Sequence, residues 1–423
     1  MENKKRVLLG MSGGVDSSVS AILLKNAGYE VIGITMRLFE DESFVENETA
    51  CCSLSTINDA KRVCHKLGIK HYTYDFREEF KKYVIDNFID EYKSGRTPNP
   101  CIMCNRFLKF GKMYELAKKL DCYYIATGHY AKTEYSEKYN CFVLKKSDNI
   151  LKDQSYVLYP IDKELLPHIL FPLQGFESKD DVRKIAKENN LLVASKPDSE
   201  DICFIPDNNH TRFLDENIKV KEGKIVDVNG KVRGKHTGFT HYTIGQRKGL
   251  GIQNEKPLYV VNINPDENKI IVGEKNSVLS RSLLIDDVNI LIDNIITKEG
   301  TNVKVKIRYK AKEANATAYL YGDKIKIIFD EPQFAIAPGQ SCVIYIDDVV
   351  SDDTKELVEE HLQNCEICQR VYHETKADLE NDMKIYAQTK ENSNEANDLK
   401  NFRKFLKKKK TKTILLSIAA TIV

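Results

Sequence analysis

The stretch Gly10-Met11-Ser12-Gly13-Gly14-Val15-Asp16-Ser17-Ser18 decides the fold of the first half of the chain. It lies between an apolar run, Val7-Leu8-Leu9, and an amphipathic run that begins at Val19, which is the order strand, loop, helix. Backbone N–H groups at a helix start are unpaired and suit a phosphate, and adjacent glycines let the backbone approach closely. An ordinary tight turn is the alternative. No Gly-Lys-Ser/Thr closes the stretch, so it is not a kinase-type P-loop.

The full Ser-Gly-Gly-x-Asp-Ser string resembles the pyrophosphatase loop (PP-loop) of ATP-dependent adenylating enzymes, which leave AMP on a substrate oxygen. This resemblance implies ATP and Mg²⁺ as cofactors, with Asp16 as a catalytic residue that helps to hold Mg²⁺ between phosphates. Met36 comes near the end of a second strand, where open α/β sheets bind ligands. The expected nucleotide-binding residues are Gly10, Met11, Ser12, Gly13, Gly14, Val15, Asp16, Ser17, Met36 and Gly128.

Composition bounds the class of protein. A chain of 423 residues should hold two to four domains, and 42% apolar residues suffice for their cores. The net charge is only +2, so a nucleic-acid surface would have to be a local patch. Eleven cysteines without a recognisable signal peptide favour the reducing cytoplasm and catalytic or metal-binding thiols.

The order of the elements predicts the fold class. Strand and helix patterns alternate over the first 206 residues, which indicates an α/β fold with a doubly wound parallel sheet. From about Asp207 the helical periodicity stops. An Asn-Gly turn at Asn229-Gly230 predicts a hairpin, and short strands continue to Asp347.

Two cysteine segments carry the remaining chemistry. In Thr97-Pro98-Asn99-Pro100-Cys101-Ile102-Met103-Cys104-Asn105, the prolines exclude helix before Cys101 and predict a helix start close to Cys104. A thiol at a helix N-terminus has a lowered pKa. The Cys-x-x-Cys pair could also be a redox pair, half of a zinc site or two core thiols, and Cys51-Cys52 would be a poor second half of such a site. Cys203 ends a polar stretch that is otherwise typical of a solvated loop.

Seven motifs together resemble one family. They are the PP-loop, Pro98-Asn99-Pro100 with Cys104-Asn105, Thr127-Gly128-His129-Tyr130, Lys152-Asp153-Gln154-Ser155-Tyr156, Ser199-x-Asp201-Ile202-Cys203-Phe204, Gly245-Gln246-Arg247 and Ala337-Pro338-Gly339-Gln340. This set is similar to that of the bacterial tRNA-specific 2-thiouridylases, the MnmA family, across about residues 4–349. The resemblance implies ATP-dependent conversion of the wobble uridine, U34, to 2-thiouridine in tRNAs for Lys, Glu and Gln.

The resemblance also implies roles for single residues. Uracil O2 is a poor leaving group that adenylation activates, after which a persulfide sulfur can attack C2. Cys203 would carry that persulfide, Cys104 would release its sulfur by forming a disulfide, and a cysteine desulfurase or sulfur relay protein would supply the sulfur. The residues expected to contact tRNA are Asn99, Pro100, Cys101, His129, Lys152, Asp153, Gln154, Arg308, Tyr309 and Gln340.

Cys101 leaves the sulfur step open. Many members of the family have Asp at this position, and that carboxylate is the usual candidate acid or base. Together, Cys101, Cys104 and Cys203 could instead hold a 4Fe-4S cluster whose open iron binds a sulfide, because thiolates are the natural ligands of such clusters. The persulfide and cluster routes are both retained as hypotheses.

The resemblance divides the matching part into a PP-loop catalytic domain (1–206), a small central tRNA-contacting β domain (207–278) and a C-terminal β-barrel (279–349). Within the last, cations alternate with apolar residues, which predicts one strand with a basic face. A solvated face is the alternative, and a phosphate track is favoured. The cations are Lys304, Lys306, Arg308, Lys310 and Lys312.

After residue 349 the resemblance ends. Residues 350–402 read as a helical segment and linker in which His361, Cys365 and Cys368 have zinc-ligand spacing, as in anti-sigma-factor zinc fingers. Residues 403–423 join a basic run to an apolar run too short to span a membrane, so no functional span is expected. This tail supports the rival hypothesis of a membrane-associated regulatory or metal-sensing protein.

Overall fold

The computed structural model describes residues 5–39, 54–197, 202–205 and 207–346, which belong to one compact unit spanning Met1–Ile346. The first strands are β1 (Arg6–Gly10), β2 (Glu30–Arg37), β3 (Lys70–Asp75), β4 (Tyr124–Ala126), β5 (Lys132–Ser136), β6 (Cys141–Lys145) and β7 (Ile169–Leu170). The first helices are α1 (Val15–Asn26), α2 (Leu54–Leu67), α3 (Arg77–Phe80), α4 (Asp86–Lys93), α5 (Pro100–Met103), α6 (Met113–Lys119), α7 (Ser155–Leu158) and α8 (Lys179–Glu188). Two π-helical segments, Lys81–Ile85 and Cys104–Lys112, continue α3 into α4 and α5 into α6.

Five of these strands form one parallel sheet in the order β3-β2-β1-β4-β7, while β5 and β6 form a separate hairpin. β1 lies at the centre, with Leu8 opposite Ile32 of β2 and Ile125 of β4. The strand order reverses between β1 and β4. Ligands of open α/β sheets bind at the carboxyl ends of the strands beside such a reversal.

The sheet is covered on both faces because side chains alternate along β1. Val7 and Leu9 pack into a core that contains apolar residues of α1, α2 and α8. Leu8 points to the other core, which contains Phe80 of α3 and Met113 of α6. This arrangement confirms the predicted doubly wound α/β fold.

Two β-rich parts follow in sequence. The first consists of α9 (His210–Asn217), β8 (Gly223–Asp227), β9 (Val232–His236), β10 (Tyr259–Asn264) and β11 (Lys269–Gly273), with strand order β10-β11-β8-β9. The second consists of β12 (Leu279–Ile285), β13 (Thr301–Lys306), β14 (Ala314–Tyr321), β15 (Lys324–Phe334) and β16 (Val343–Tyr345), all antiparallel in the order β12-β15-β14-β13-β16. The predicted hairpin is confirmed as β8–β9, and Gly230 in its turn has φ +81°.

Three local expectations were wrong. Helical structure continues past Asp207, because α9 covers residues 210–217. The helix of the cysteine segment begins at Pro100 and not close to Cys104, since Asn99 already caps it. The basic strand ends at Lys306, so only the first two of its five cations lie on β13.

The tail hypotheses, including zinc binding by His361, Cys365 and Cys368, fall on residues 347–423 and lie outside the described residues. Within the described ranges, no helix combines the length and apolar character needed to cross a membrane.

Candidate active site

The PP-loop leaves the sheet immediately after Met11. The Met11 N–H donates to the Ile34 carbonyl oxygen at 2.7 Å, and the Thr35 hydroxyl donates to the Met11 carbonyl oxygen at 2.8 Å. Both bonds tie the start of the loop to β2. Gly13 then has φ +69°, and a Cβ atom there would lie 2.2 Å from the Thr56 carbonyl oxygen. Only glycine fits this position, because both the backbone conformation and the space exclude a side chain.

The first turn of α1 is organised by serine hydroxyls. Gly14 is the N-cap residue and offers no side-chain cap. The Ser17 and Ser18 hydroxyls donate to the Gly14 carbonyl oxygen at 3.2 and 2.8 Å, and the Ser12 N–H donates to the Ser17 Oγ at 3.2 Å. The loop therefore ends at a helix N-terminus, whose partial positive charge suits an anion such as a phosphate.

The carboxylate of Asp16 has two close partners from distant parts of the chain. The Tyr130 hydroxyl donates to Oδ1 at 2.9 Å, and the Lys179 ammonium lies 2.5 and 2.6 Å from Oδ1 and Oδ2. Lys179 is the first residue of α8, which Ser178 caps. The sequence analysis assigned no role to Lys179. Its only local signal is a cation at a helix start, where the helix dipole disfavours positive charge.

A second lysine contacts the loop itself. Lys196 lies 2.9 Å from Asp59 Oδ2 and 3.4 Å from the Gly13 carbonyl oxygen. It belongs to the polar stretch that leads to Cys203, and its role was also missed.

Gly128 completes the nucleotide side of the site. It follows β4, and a Cβ atom there would lie 2.8 Å from the Ser17 nitrogen, so the turn after β4 packs directly on the start of α1. Gly10 ends β1, and half-buried Met36 lies one residue before the end of β2. The ten expected nucleotide-binding residues thus meet at the carboxyl ends of three neighbouring strands.

A magnesium ion fits this arrangement only together with a nucleotide. Asp16 is the single carboxylate of the loop, and Mg²⁺ in nucleotide sites uses one or two carboxylates plus phosphate oxygens and waters. Asp16 would provide the protein ligand and would exchange Lys179 for the metal.

The cysteine segment lies on the other face of the sheet. Asn99 Oδ1 accepts from the Cys101 N–H at 3.1 Å, and Pro100 occupies the first helical turn. Cys101 is exposed, whereas Cys104 is buried one turn further on, where the π-helical segment begins. Cys101 therefore lies in the first turn of this helix, and Cys104 lies one turn later.

Cys203 approaches the same core. Its side chain is half-buried against the apolar cluster that contains Cys104, and neighbouring Phe204 packs edge-on to Phe80 and Phe88. The two cysteines expected to transfer sulfur therefore border one cluster, although they are 99 residues apart in sequence.

The structure gives no support to a metal cluster. Among the described residues, which include Cys101, Cys104 and Cys203, no three His, Cys, Asp or Glu side chains are grouped so that they could hold a metal ion.

Comparisons with known proteins assign the family. The chain matches the models described as tRNA methyl transferase HUP domain (residues 5–207), tRNA methyl transferase PRC-barrel domain (211–274) and Aminomethyltransferase beta-barrel domain (280–350). The tRNA-specific 2-thiouridylase MnmA of Clostridioides difficile (strain 630) is 50% identical over 350 residues, which are 82% of this chain and 96% of that relative. The chain belongs to the MnmA family. MnmA of Acetivibrio thermocellus is also 50% identical, over 82% of this chain and 98% of its own length. MnmA 1 of Thermoanaerobacter sp. (strain X514) is 50% identical over 83% of this chain and 97% of its own length.

In this MnmA-family chain, several residues expected to contact tRNA have hydrogen-bond partners within the protein. The Gln154 side-chain oxygen accepts from the Tyr130 N–H at 2.9 Å, which holds the tyrosine that contacts Asp16. The buried Asp153 carboxylate accepts from the Ser147 N–H and the Ser155 hydroxyl, at 3.0 and 2.7 Å. Half-buried Lys152 follows two exposed aliphatic residues, Ile150 and Leu151.

His129 is also enclosed. Its Nδ1 atom lies 2.8 Å from the Thr127 hydroxyl, and its ring centre lies 6.0 and 6.4 Å from those of Phe110 and Phe171. Burial, aided by Lys109, holds the pKa of His129 well below its ordinary value, so the ring is neutral near pH 7.

Three residues of the third domain are expected to contact tRNA, and they differ in exposure and in their partners within the protein. Arg308 is half-buried and donates to the Ala335 carbonyl oxygen, and burial lowers its pKa. Tyr309 is 37% exposed, and its hydroxyl donates to the Asp153 carbonyl oxygen at 3.4 Å. The Gln340 side-chain amide donates to the Thr97 carbonyl oxygen at 2.8 Å. These contacts pack the third domain against the cysteine segment and the Lys152–Tyr156 segment.

Proposed function

We propose that this protein catalyses ATP-dependent 2-thiolation of the wobble uridine, U34, of tRNAs for Lys, Glu and Gln. The supporting observation is the combination of a PP-loop at the reversal of strand order with two cysteines that border one core cluster. The relatives are named tRNA-specific 2-thiouridylases, and the chain spans nearly their whole length.

The first step is adenylation. Uracil O2 attacks the α-phosphorus of ATP, the bond to the β-phosphate oxygen breaks, and pyrophosphate leaves. The α1 N-terminus and the serine hydroxyls would bind the phosphates, and Asp16 would hold a Mg²⁺ ion, whose charge would favour departure of pyrophosphate. AMP on O2 then makes this oxygen a good leaving group.

The second step transfers sulfur. A cysteine desulfurase or relay protein supplies the outer sulfur of a persulfide on Cys203. That sulfur attacks C2 and AMP leaves, which joins the base to Cys203 through a disulfide. The Cys104 thiolate attacks Cys203 Sγ, so the sulfur stays on the base with its electron pair and a Cys104–Cys203 disulfide forms. An external thiol reductant then restores both thiols.

The sulfur step is tested by Cys104→Ser and Cys203→Ser, with Cys141→Ser on β6 as the matched control. We expect either variant to form no 2-thiouridine by mass spectrometry of the tRNA, while tRNA-dependent release of pyrophosphate continues, because the thiols act after adenylation. Thiolation at the control's rate by either variant would remove that cysteine from the reaction.

The iron–sulfur alternative is tested separately with Cys101→Ser and iron analysis of anaerobically purified protein. We expect an iron-free, active wild-type enzyme and a Cys101→Ser variant that keeps its activity. Iron in the active wild type that is lost together with activity in the variant would replace the persulfide route with the cluster route.

A further inference from the structure

The PP-loop lacks the lysine that contacts the phosphates in kinase-type P-loops, yet two lysines from the end of the first domain reach it. We propose that Lys179 and Lys196 bind the pyrophosphate portion of ATP and neutralise it as it leaves. This inference rests on the proposed adenylation and adds two phosphate-binding residues to it.

Lys179 is largely buried, and its ammonium group contacts Asp16 at the end of the loop. Its side chain is 13% exposed, its ammonium contacts both oxygens of Asp16, and it lies 5.7 Å from the centre of the Tyr130 ring. A buried ammonium group needs a negative partner, because its desolvation is costly. If Mg²⁺ binds the Asp16 carboxylate, it weakens the contact between Asp16 and Lys179, and the phosphate oxygens of the bound nucleotide would offer acceptors to this ammonium group.

Lys196 provides the second charge. Its side chain is 19% exposed, and its ammonium contacts the carboxylate of Asp59 and the carbonyl oxygen of Gly13. Gly13 and Asp16 are three positions apart, so both ammonium groups meet the same short stretch of loop and first helical turn.

The charges around the loop are consistent with a change of lysine partner from carboxylate to phosphate. In the described structure the Lys179 ammonium contacts Asp16, the Lys196 ammonium contacts Asp59, and Arg62 also lies 4.0 Å from Asp59 Oδ1. Pyrophosphate carries several negative charges, which two ammonium groups, the helix N-terminus and Mg²⁺ together can compensate. The same cations favour the charge that develops on the leaving group during adenylation.

Direct binding of pyrophosphate, measured by calorimetry on the full chain, tests the inference. We expect Lys179→Met and Lys196→Met each to weaken binding of magnesium pyrophosphate at least tenfold. Lys184→Met is the matched control, because Lys184 also lies on α8 but is 73% exposed. Lys179→Arg keeps the charge and should stay close to wild type, and heat-unfolding midpoints confirm that each variant is folded.

A purely structural role for Lys179 is distinguished with metal-free pyrophosphate in the presence of a chelator. Asp16→Asn removes the carboxylate that competes for Lys179, so we expect this variant to bind pyrophosphate more tightly than wild type. Adding Lys179→Met should abolish the gain. If the double variant binds as tightly as Asp16→Asn alone, Lys179 only neutralises Asp16 and the inference is overturned.

The result also separates the inference from the proposed function. If wild type, Lys179→Met and Lys196→Met bind magnesium pyrophosphate equally well, the inference is overturned but the proposed thiolation is unaffected. A folded wild-type protein that binds neither pyrophosphate nor magnesium ATP would overturn both.

Discussion

Gln340 and Thr97 join the third domain to the entry of the cysteine segment. The Gln340 side-chain amide donates to the Thr97 carbonyl oxygen at 2.8 Å, and the Thr97 N–H donates to the Pro338 carbonyl oxygen at 2.9 Å. Both polar groups of the Thr97 backbone are thus held by one loop, two residues before the Asn99 cap. The position of Cys104 therefore depends on a domain that is distant in sequence.

The first prediction concerns Gly339 in that loop. Gly339 has φ +88°, and a Cβ atom there would lie 2.8 Å from the Thr97 nitrogen. We expect Gly339→Ala to displace Thr97 and to lower 2-thiouridine formation at least tenfold, while magnesium ATP binding stays unchanged. Gly322→Ala is the control, since Gly322 has φ +66° in the same domain but no atom within 4 Å of such a Cβ. Equal activity of the two variants would show that the contact does not position the cysteines.

The second prediction concerns the contact between Gly128 and α1. The Cβ atom of Gly128→Ala would lie 2.8 Å from the Ser17 nitrogen and 2.9 Å from the Asp16 carbonyl carbon. We expect the start of α1 to shift and magnesium ATP binding, measured by calorimetry, to weaken at least tenfold. Gly175→Ala is the control, because its nearest neighbour would be 3.9 Å away. Normal ATP binding by Gly128→Ala would place the nucleotide away from this turn.

The local pattern of the chain predicted much of this site. Ser-Gly-Gly-x-Asp-Ser after a buried strand placed the PP-loop correctly at the end of β1. Period-two alternation predicted an apolar strand face opposite the cations, and Val303 and Val305 of β13 are buried. The true start of the cysteine helix was also readable, since Asn followed by Pro is a strong N-cap and first-turn signal. Pro98 and Pro100 also act as helix breakers, and that competing signal favours a later start.

Long-range contacts could not be predicted in this way. Lys179 and Asp16 are 163 residues apart, and nothing in the sequence near either residue indicates the other. The alternation of cations continues to Lys312, but the strand ends at Lys306, and Arg308 donates to the Ala335 carbonyl oxygen. A tertiary hydrogen bond thus overrides a local pattern.

The third prediction follows from this revised position of the cations. Lys310 and Lys312 are exposed beyond β13, so they are better placed for phosphate contacts than half-buried Arg308. We expect Lys310→Glu with Lys312→Glu to weaken binding of all three tRNAs and to reduce the salt dependence of binding by about one unit of slope per lost contact. The control, Lys298→Glu with Lys326→Glu, changes the net charge equally at other exposed sites of the domain. If both double variants bind tRNA with the same affinity, net charge alone explains the loss, and Lys310 and Lys312 make no specific phosphate contacts.

The last prediction concerns His129 and pH. Burial lowers the pKa of folded His129 well below its ordinary value, whereas in the unfolded chain it titrates near pH 6.5. Below that pH the unfolded chain binds a proton that the folded protein does not bind, so the free energy of unfolding falls as the pH falls. The contribution of neutral His129 is complete above about pH 7 and is lost by up to about 1.4 kcal/mol per pH unit below pH 6.

We expect His129→Gln to be less stable than wild type at pH 7.5 because of the altered packing, but to lose less stability between pH 7 and pH 5. Urea unfolding at a series of pH values measures this difference in slope. His71 and His236, whose pKa values burial also lowers, are identical in both proteins and cancel. His65→Gln is the control, because the His65 side chain is exposed on the outer face of α2, and this variant should keep the wild-type slope. If His129→Gln and wild type have equal slopes, folded His129 takes up its proton over the same pH range as in the unfolded chain. That result would contradict a buried, neutral ring.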